Sequence, residues 1–555
     1  MLSAAEFINH AGRLIVFRHG FFICGLYALF FRNIRWDRVI FIVQKRPRPA
    51  GQGGLEVELQ KNALHYQRKV ALETVYREES ADCIVPDSQP DIARILDVSA
   101  IAFIRDREAD HDEVKLRCSI RAVVLYAAED SEKVYAVEVP ISYTHAVQMR
   151  GVEPRDELVC DASVVTADAR ILNPRKVSVR VNAAYPVCVY RQGDEEIACA
   201  AAEEGCCVKT EKKSLSYTTA VSIKNFTLVE DIDLDAAMPS AERVYCACFD
   251  IVPQDAKILA GRATVRAQAN VKALYQSMEG TLCTIERSFG FTQSTDIPAG
   301  GDECTATASF YLRSFELDCA VDMSGESRYL SLSAGITMNV EAVESREFEI
   351  LQDLYGLKRE LSFTCRELDL MPPGESCTVP RHFSETIDTA ETVQSVLYCR
   401  LCPDFNFDKT GEGELSTGVT AYLVYKAEDG QLYGISKRVM LCFPVPDTDL
   451  FAARLIVGEV NAAASGAGGL MLDFDAVLSC RTAPGGKVSV VEEAQWGEEY
   501  PQDPRGLSAI LTRVAGDESV WEIARRYHTT SEAIEVANRG VDISAGGNPL
   551  VLIPL

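Results

Sequence analysis

Val114–Tyr126 reads VKLRCSIRAVVLY. Apolar and polar residues alternate along it, and it is rich in Val, Ile and Leu before it closes on tyrosine. Period-two alternation of this composition marks a strand with one face buried. Two later stretches share the alternation and the ending: Ile258–Tyr275 (ILAGRATVRAQANVKALY) and Leu415–Tyr425 (LSTGVTAYLVY). The three closing tyrosines, Tyr126, Tyr275 and Tyr425, lie 149 and 150 residues apart. A second anchor keeps the same period. Pro90-(x)3-Arg94-Ile95 matches Pro239-(x)3-Arg243-Val244, and Val393 stands another 149 residues beyond Val244. Two anchors that hold one interval through three copies identify an internal repeat.

Each tyrosine is followed by a polar turn: Glu129-Asp130-Ser131, Met278-Glu279-Gly280 and Glu428-Asp429-Gly430. A returning strand, such as Tyr135–Tyr143, completes a β-hairpin. Further alternating strands follow at Val177–Val181, Leu330–Ile336 and Leu470–Leu478, while helical periodicity is scarce before residue 515. The expected fold is therefore mainly β: three tandem antiparallel β-sandwich-like modules over 57–235, 236–375 and 376–482. A Pro-, Gly- and Glu-rich linker is expected over 483–506.

Upstream of the first repeat strand stands Val85-Pro86-Asp87-Ser88-Gln89-Pro90-Asp91-Ile92. This segment resembles the opening VPD-x-x-PDI motif of the SPOCS domain of spore-coat assembly proteins. The β-rich pattern and the Leu-Tyr strand that follow also fit, over roughly 58–480. The motif is intact only in the first copy. The second keeps Pro239 without the aspartates, and the third keeps only the apolar positions.

Residues 507–555 follow a different grammar. Leu511–Val514 reads as a short strand, and Asp517 is a good helix N-cap. Val520, Ile523, Ala524 and Tyr527 fall at i, i+3, i+4 and i+7, one helical face. Thr530 caps a second helix whose inner face is Ala533, Ile534 and Ala537. Asn538 ends that helix, and Leu550–Pro554 closes the unit as a strand. This β-α-α-β order resembles a LysM domain through Gly516-Asp517, Trp521, Ile523-Ala524, Tyr527, Thr530, Ile534, Asn538 and Leu552-Ile553-Pro554. It departs at Glu518-Ser519-Val520, where that family usually has Thr or Ser and then Leu.

The resemblance implies binding of N-acetylglucosamine polymers in a shallow groove between the strand–helix loops. The SPOCS-plus-LysM arrangement is also similar to that of clostridial spore-coat morphogenetic proteins. That likeness implies a different partner for the LysM unit: the ATPase of the coat basement layer, on the forespore surface. Trp521 lies one residue off the buried helical face, with Arg525 and His528 at i+4 and i+7. A Trp beside an Arg is the composition of an interface hot spot. The alternative is a Trp that covers the edge of a small core. The expected partner- or glycan-binding set is Gly516, Asp517, Trp521, Arg525, His528 and Asn538.

Charge narrows the partners. The chain carries a formal net charge of −25. Within residues 1–50 the only acids are Glu6 and Asp37 against eight Arg and Lys, so the acidic excess lies in the remainder. An acidic body argues against nucleic acid, whose phosphates need a basic footprint. Nineteen cysteines without a secretory signal or a scaffold-like spacing read as reduced, buried thiols.

The leader, residues 1–56, is apolar over 14–31 but broken by Arg18 and His19. The run is short of the roughly 20 residues that a span needs. It reads either as a membrane hairpin or as an upstream mis-start. In the second case the codons of Gly53-Gly54 serve as a ribosome-binding sequence and Val57 as the start. Membrane contact is expected only if 1–56 is translated.

Catalytic signals are sparse. Cys399-Arg400-Leu401-Cys402 is the one Cys-x-x-Cys. On a strand, i and i+3 face opposite ways, and zinc would need two more ligands. The positions one and two periods earlier hold Asp250 and Pro253, then Ile101 and Ile104, so the other copies do without thiols. Gly485-Gly486-Lys487-Val488 lacks the spacing of a phosphate loop. No Gly-x-Ser-x-Gly or His-Glu-x-x-His occurs. With catalytic signals sparse, the family resemblance implies a non-enzymatic coat-assembly adaptor without cofactor or metal, in the mother-cell cytoplasm at the forespore surface. Its β modules are expected to self-associate through sheet edges. The competing expectation is a peptidoglycan-binding protein of the cell or spore envelope.

Overall fold

A computed structural model describes residues 56–555 apart from 130–132, 298–300, 302, 322–326, 369, 371–375, 405, 412, 447–449, 466–468, 483–487, 502–505, 514–517, 542 and 544–548. The leader thus lies outside the described residues except for Glu56.

The first repeat runs β1 (Leu59–Ile84), β2 (Arg94–Asp110), β3 (Glu113–Ala127), β4 (Val134–Gln148), β5 (Glu157–Cys160), β6 (Ser163–Asn173) and β7 (Lys176–Ala201). β2-β3-β4 is an antiparallel meander, and β7 lies between β1 on one side and β5 and β6 on the other. The second repeat has β8 (Cys206–Asp233), β9 (Ala241–Leu259), β10 (Arg262–Ser277), β11 (Leu282–Asp296), β12 (Thr305–Ala320) and β13 (Tyr329–Gly356). It repeats the plan, with β9-β10-β11 as the meander and β13 between β8 and β12.

The third repeat is framed by β14 (Arg359–Leu368). It contains β15 (Ser376–Ile387), β16 (Val393–Pro403), β17 (Asp408–Gly411), β18 (Glu414–Ala427), β19 (Leu432–Pro444), β20 (Leu450–Ala464), β21 (Leu470–Thr482) and β22 (Val488–Glu499). β18 is the meander's centre, and β21 lies between β15 and β20. The mainly β architecture expected from the alternating segments is the architecture observed.

β3 shows why. Val114, Leu116, Ile120, Ala122, Val124 and Tyr126 are at most 1% exposed and all point into the first repeat's sandwich. Fully burying one Val or Leu side chain contributes about 1.5–3 kcal/mol, so slipping the register by one residue would forfeit the whole row. The turns match the sequence reading at Gly280 (φ 83°) and Gly430 (φ 79°), left-handed positions that suit glycine.

The opposite face of the end of β3 is buried too, and this face joins the repeats. Leu125, Leu274 and Val424, one from each meander, meet in one apolar cluster with Tyr245, Tyr398 and Leu432. The first and second repeats are tied by Tyr245 Oη donating to the Val134 carbonyl at 2.8 Å. The second and third are tied by Arg454 and Asp250 at 3.3 Å. The third returns to the first through Arg94 Nη1 donating to the Leu432 carbonyl at 2.7 Å. The ring of contacts is therefore closed. Gly434 on β19 is required at that last junction, because a Cβ there would collide with the backbone of Leu96.

A second layer of contact uses the ends of the long strands. The first half of β1 pairs with the second half of β7, from Leu59↔Ala201 to Arg68↔Arg191. β8 and β13 do the same from Cys206↔Gly356 to Ser216↔Ser345, and β14 pairs with β22. The three ribbons share a core with Leu64 and Ile197, Leu215 and Phe348, and Leu368 and Val490 contributed by successive ribbons. Two boundaries therefore differ from the sequence reading. The stretch read as linker contains β22, whose Val488, Val490, Val491 and Ala494 are buried. β8, assigned from sequence to the first module, pairs with β13 of the second. Flanking Gly, Pro and Glu hid the short apolar alternation of β22.

The C-terminal unit is β23 (Ala509–Arg513), α1 (Val520–Tyr527), α2 (Ser531–Ala537) and β24 (Leu550–Pro554), with β23 antiparallel to β24. Ile523, Ala524, Ile534, Val551 and Ile553 are fully buried between helices and ribbon. Among the described residues no helix is long and apolar enough to cross a membrane.

Candidate functional site

The Val85–Ile92 motif forms the loop between β1 and β2, and its groups converge on Arg175 in the β6–β7 turn. The Arg175 guanidinium donates to the carbonyls of Val85 (3.0 Å), Pro86 (2.9 Å) and Gln89 (2.7 Å). It also meets the carboxylates of Asp87 at 3.2 Å and Asp91 at 3.1 Å. Tyr126 Oη donates to the Pro90 carbonyl at 3.0 Å. The second repeat builds the same cage without the aspartates. Arg328 donates to Leu234 (3.3 Å), Asp235 (2.9 Å) and Met238 (2.6 Å), and Tyr275 Oη donates to Pro239 at 3.2 Å.

Each of these carbonyls lies 149 residues after its counterpart, so the motif is a backbone clip in both copies. Sequence reasoning missed the two arginines. Arg328 follows Arg175 by 153 residues and falls off the period.

The repeats are joined by a buried ion pair. Arg400 on β16 donates from Nε to Asp97 Oδ2 at 2.9 Å and from Nη2 to Asp97 Oδ1 at 2.8 Å. The two side chains are 7% and 1% exposed. Arg400 also lies over the Tyr422 ring at 3.8 Å and donates to Val98 O at 3.0 Å. The neighbouring Cys-x-x-Cys is divided by the pleat. Cys399 faces the third repeat's own core, while Cys402 accepts from Arg400 Nη1 at 2.8 Å. Burial pushes the Cys399 thiol up to about 12 and raises that of Cys402. Both are held as weak nucleophiles. Among the described residues no cluster of three or more His, Cys, Asp or Glu is placed to hold a metal.

In the C-terminal unit, the N-cap of α1 is Ser519, and Asp517, expected there, lies with Gly516 outside the described residues. Ser519 accepts from the Glu522 N–H, and Glu522 accepts from the Ser519 N–H at 2.8 Å. The sequence Ser519-Val520-Trp521-Glu522 is a capping box, which satisfies two orphan donors reciprocally. Those bonds hold the Glu522 carboxyl below the usual carboxylate range. Thr530 caps α2 as expected, accepting from Ala533 N–H at 3.1 Å.

Asn538 ends α2 and is 8% exposed. Its amide donates to Leu552 O at 2.6 Å and to Ile534 O at 2.7 Å, and its Oδ1 accepts from Leu552 N–H at 2.8 Å. Its polar atoms thus tie α2 to β24.

Trp521, Arg525 and His528 form the expected stripe, and that stripe lies against the β body. Trp521 Nε1 donates to Asp353 Oδ2 at 2.8 Å. Arg525 Nη1 donates to the same carboxylate at 2.8 and 3.1 Å. Tyr355, two residues along β13, packs its ring against that of Trp521 in a T-shaped contact, with centroids 4.8 Å apart. It reaches into the unit's core and donates to Thr529 O at 2.7 Å. His528, at φ 54° as the C-cap of α1, stacks on Tyr500 with centroids 3.7 Å apart. Partial burial lowers the His528 pKa.

Asp353 is aimed by a β-bulge. The register of β13 on β8 shifts between Leu351 and Asp353, which takes the carboxylate out of simple alternation. Nothing in the local sequence marks that bulge, so Asp353, Tyr355 and Tyr500 were not foreseen.

Two comparisons return nothing: no curated protein and no solved structure matches the chain. Residues 91–172 match the family model described as SipL, SPOCS domain. This stretch runs from Asp91 of the clip through β2 to β5 and into β6. Over those residues the first repeat is accordingly similar to a SPOCS domain, and the chain resembles SipL.

Proposed function

We propose that this sporulation-related, SipL-like chain is a non-enzymatic assembly adaptor of the spore coat. The closed β body is the scaffold, and the C-terminal unit, read as a LysM domain, binds a protein of the coat basement layer on the forespore surface. The observation that carries this reading is the contact on Asp353. The unit already grips a protein group through Trp521 and Arg525, two residue types that dominate protein interfaces. The body offers chemistry suited to a scaffold: buried thiols, backbone-bound arginines and an ion pair between repeats.

A glycan reading draws less support from the same site. The indole N–H is bonded to a carboxylate, Tyr355 packs against the ring and Trp521 is half-buried, whereas a sugar-stacking site needs an accessible indole.

The test is co-purification of the full chain from sporulating cells, beside a form lacking 507–555 and a Trp521→Ala form. The adaptor reading expects one basement-layer protein to be recovered by the intact chain and lost from the deletion. Retention of the intact chain on insoluble peptidoglycan, abolished by the same deletion, would overturn it in favour of the glycan reading.

A further inference from the structure

We infer that the Asp353–Tyr355 segment is an internal stand-in for the partner of the C-terminal unit, and that the partner presents an extended protein segment with a carboxylate two residues before an aromatic ring. The inference rests on the adaptor reading above and specifies what the unit recognises.

Three features of the contact point to an exchangeable ligand. Two donors on successive turns of α1, the Trp521 indole and the Arg525 guanidinium, converge on one carboxylate. Such charge-assisted bonds select an anion, and a neutral N-acetylglucosamine unit has none to offer. The aromatic component is set by strand geometry. Residues i and i+2 share a face, so Tyr355 enters the unit beside Trp521 while Asp353 meets its edge. Lastly, the carboxylate is presented by a bulge, the device by which sheets re-aim a side chain at a site.

The stripe cannot hold Asp353 and a partner carboxylate at once. A tethered ligand acts at an effective concentration of about millimolar, so the internal segment is a competitor that raises the affinity a partner must have. The unit therefore rests closed on the body and opens only to a segment that matches the internal one.

The test uses the full chain and a fluorescein-labelled peptide of sequence ILQDLYGL, copied from residues 350–357, with anisotropy as the readout. The Asp353→Ala chain should bind the peptide about tenfold or more tighter than the unaltered chain, because the internal carboxylate that competes for Trp521 and Arg525 is gone. Adding Trp521→Ala should abolish binding, and a peptide with its own Asp replaced by Ala should bind about tenfold weaker. Asp353→Asn, which keeps the shape and removes the charge, gives a second opened form should Asp353→Ala disturb folding by circular dichroism. Equal binding to the opened and unaltered chains, no saturable binding, or displacement of the peptide by N-acetylglucosamine oligomers would each overturn the inference. Its failure is distinguishable from that of the adaptor reading. Trp521-dependent co-purification with no peptide binding removes the stand-in alone, whereas peptide binding with retention on peptidoglycan removes the adaptor.

Discussion

Arg175 holds three carbonyls of one loop, two of them partly buried and one exposed, and each such hydrogen bond contributes about 0.5–1.5 kcal/mol. Arg175→Ala should therefore lower stability by about 2–4 kcal/mol in urea denaturation. Arg175→Lys should recover little, since one ammonium cannot reproduce a planar fork. Arg328→Ala should have a comparable effect through its own three carbonyls. The cysteines give a second prediction. Burial pushes the thiols of Cys160, Cys246 and Cys399 up to about 12, whereas Cys365 and Cys442 are exposed. Iodoacetamide near pH 8 should label the exposed pair first and the buried three only after denaturation, as read by peptide mass spectrometry. At this scale the sequence displayed the acceptors of the clip and hid its donors. A motif is contiguous, while the arginine that organises it arrives from the far end of the repeat.

Ser519 and Gly434 show what can be argued for single elements. Ser519→Ala removes one half of a capping box and should cost α1 about 0.5–2 kcal/mol. Hydrogen exchange of the amides of Glu522 to Ala524 measures this without reference to the body. Gly434→Ala places a methyl group against the Leu96 backbone. It should destabilise the chain by about 1–3 kcal/mol as overpacking does, with calorimetry as the check. Strand positions were largely readable because alternation survives wherever one face meets a core. β22 was not, because its apolar row is short and sits among linker-like residues. The helix pair was readable from its i, i+3, i+4, i+7 face, but its N-cap was placed two residues early. Asp517 is a good cap in isolation; the Ser519–Glu522 reciprocity, available in the sequence, decides the position.

Across the whole molecule, the Asp97–Arg400 pair spans 303 residues of chain and is almost completely dry. Removing one partner leaves an uncompensated buried charge, so Asp97→Ala should cost about 3–5 kcal/mol, whereas replacing both by apolar residues should restore most of it. Calorimetry should register a single transition for the three repeats, because the meander cluster and the ribbon core are common to all of them. Three resolved transitions would contradict a shared core. None of this closure was visible in the period, which counts copies without saying whether the last returns to the first. It does return, and that has an evolutionary corollary. An open array can lengthen by gene duplication, since its end units accept another neighbour. Here the third repeat already occupies the first repeat's free flank, and each junction carries its own chemistry: a tyrosine on a carbonyl, an exposed arginine on Asp250, a dry ion pair. A fourth copy has no seat, and no copy can stand in for another, so copy number is frozen while the sequences of the three remain free to drift apart.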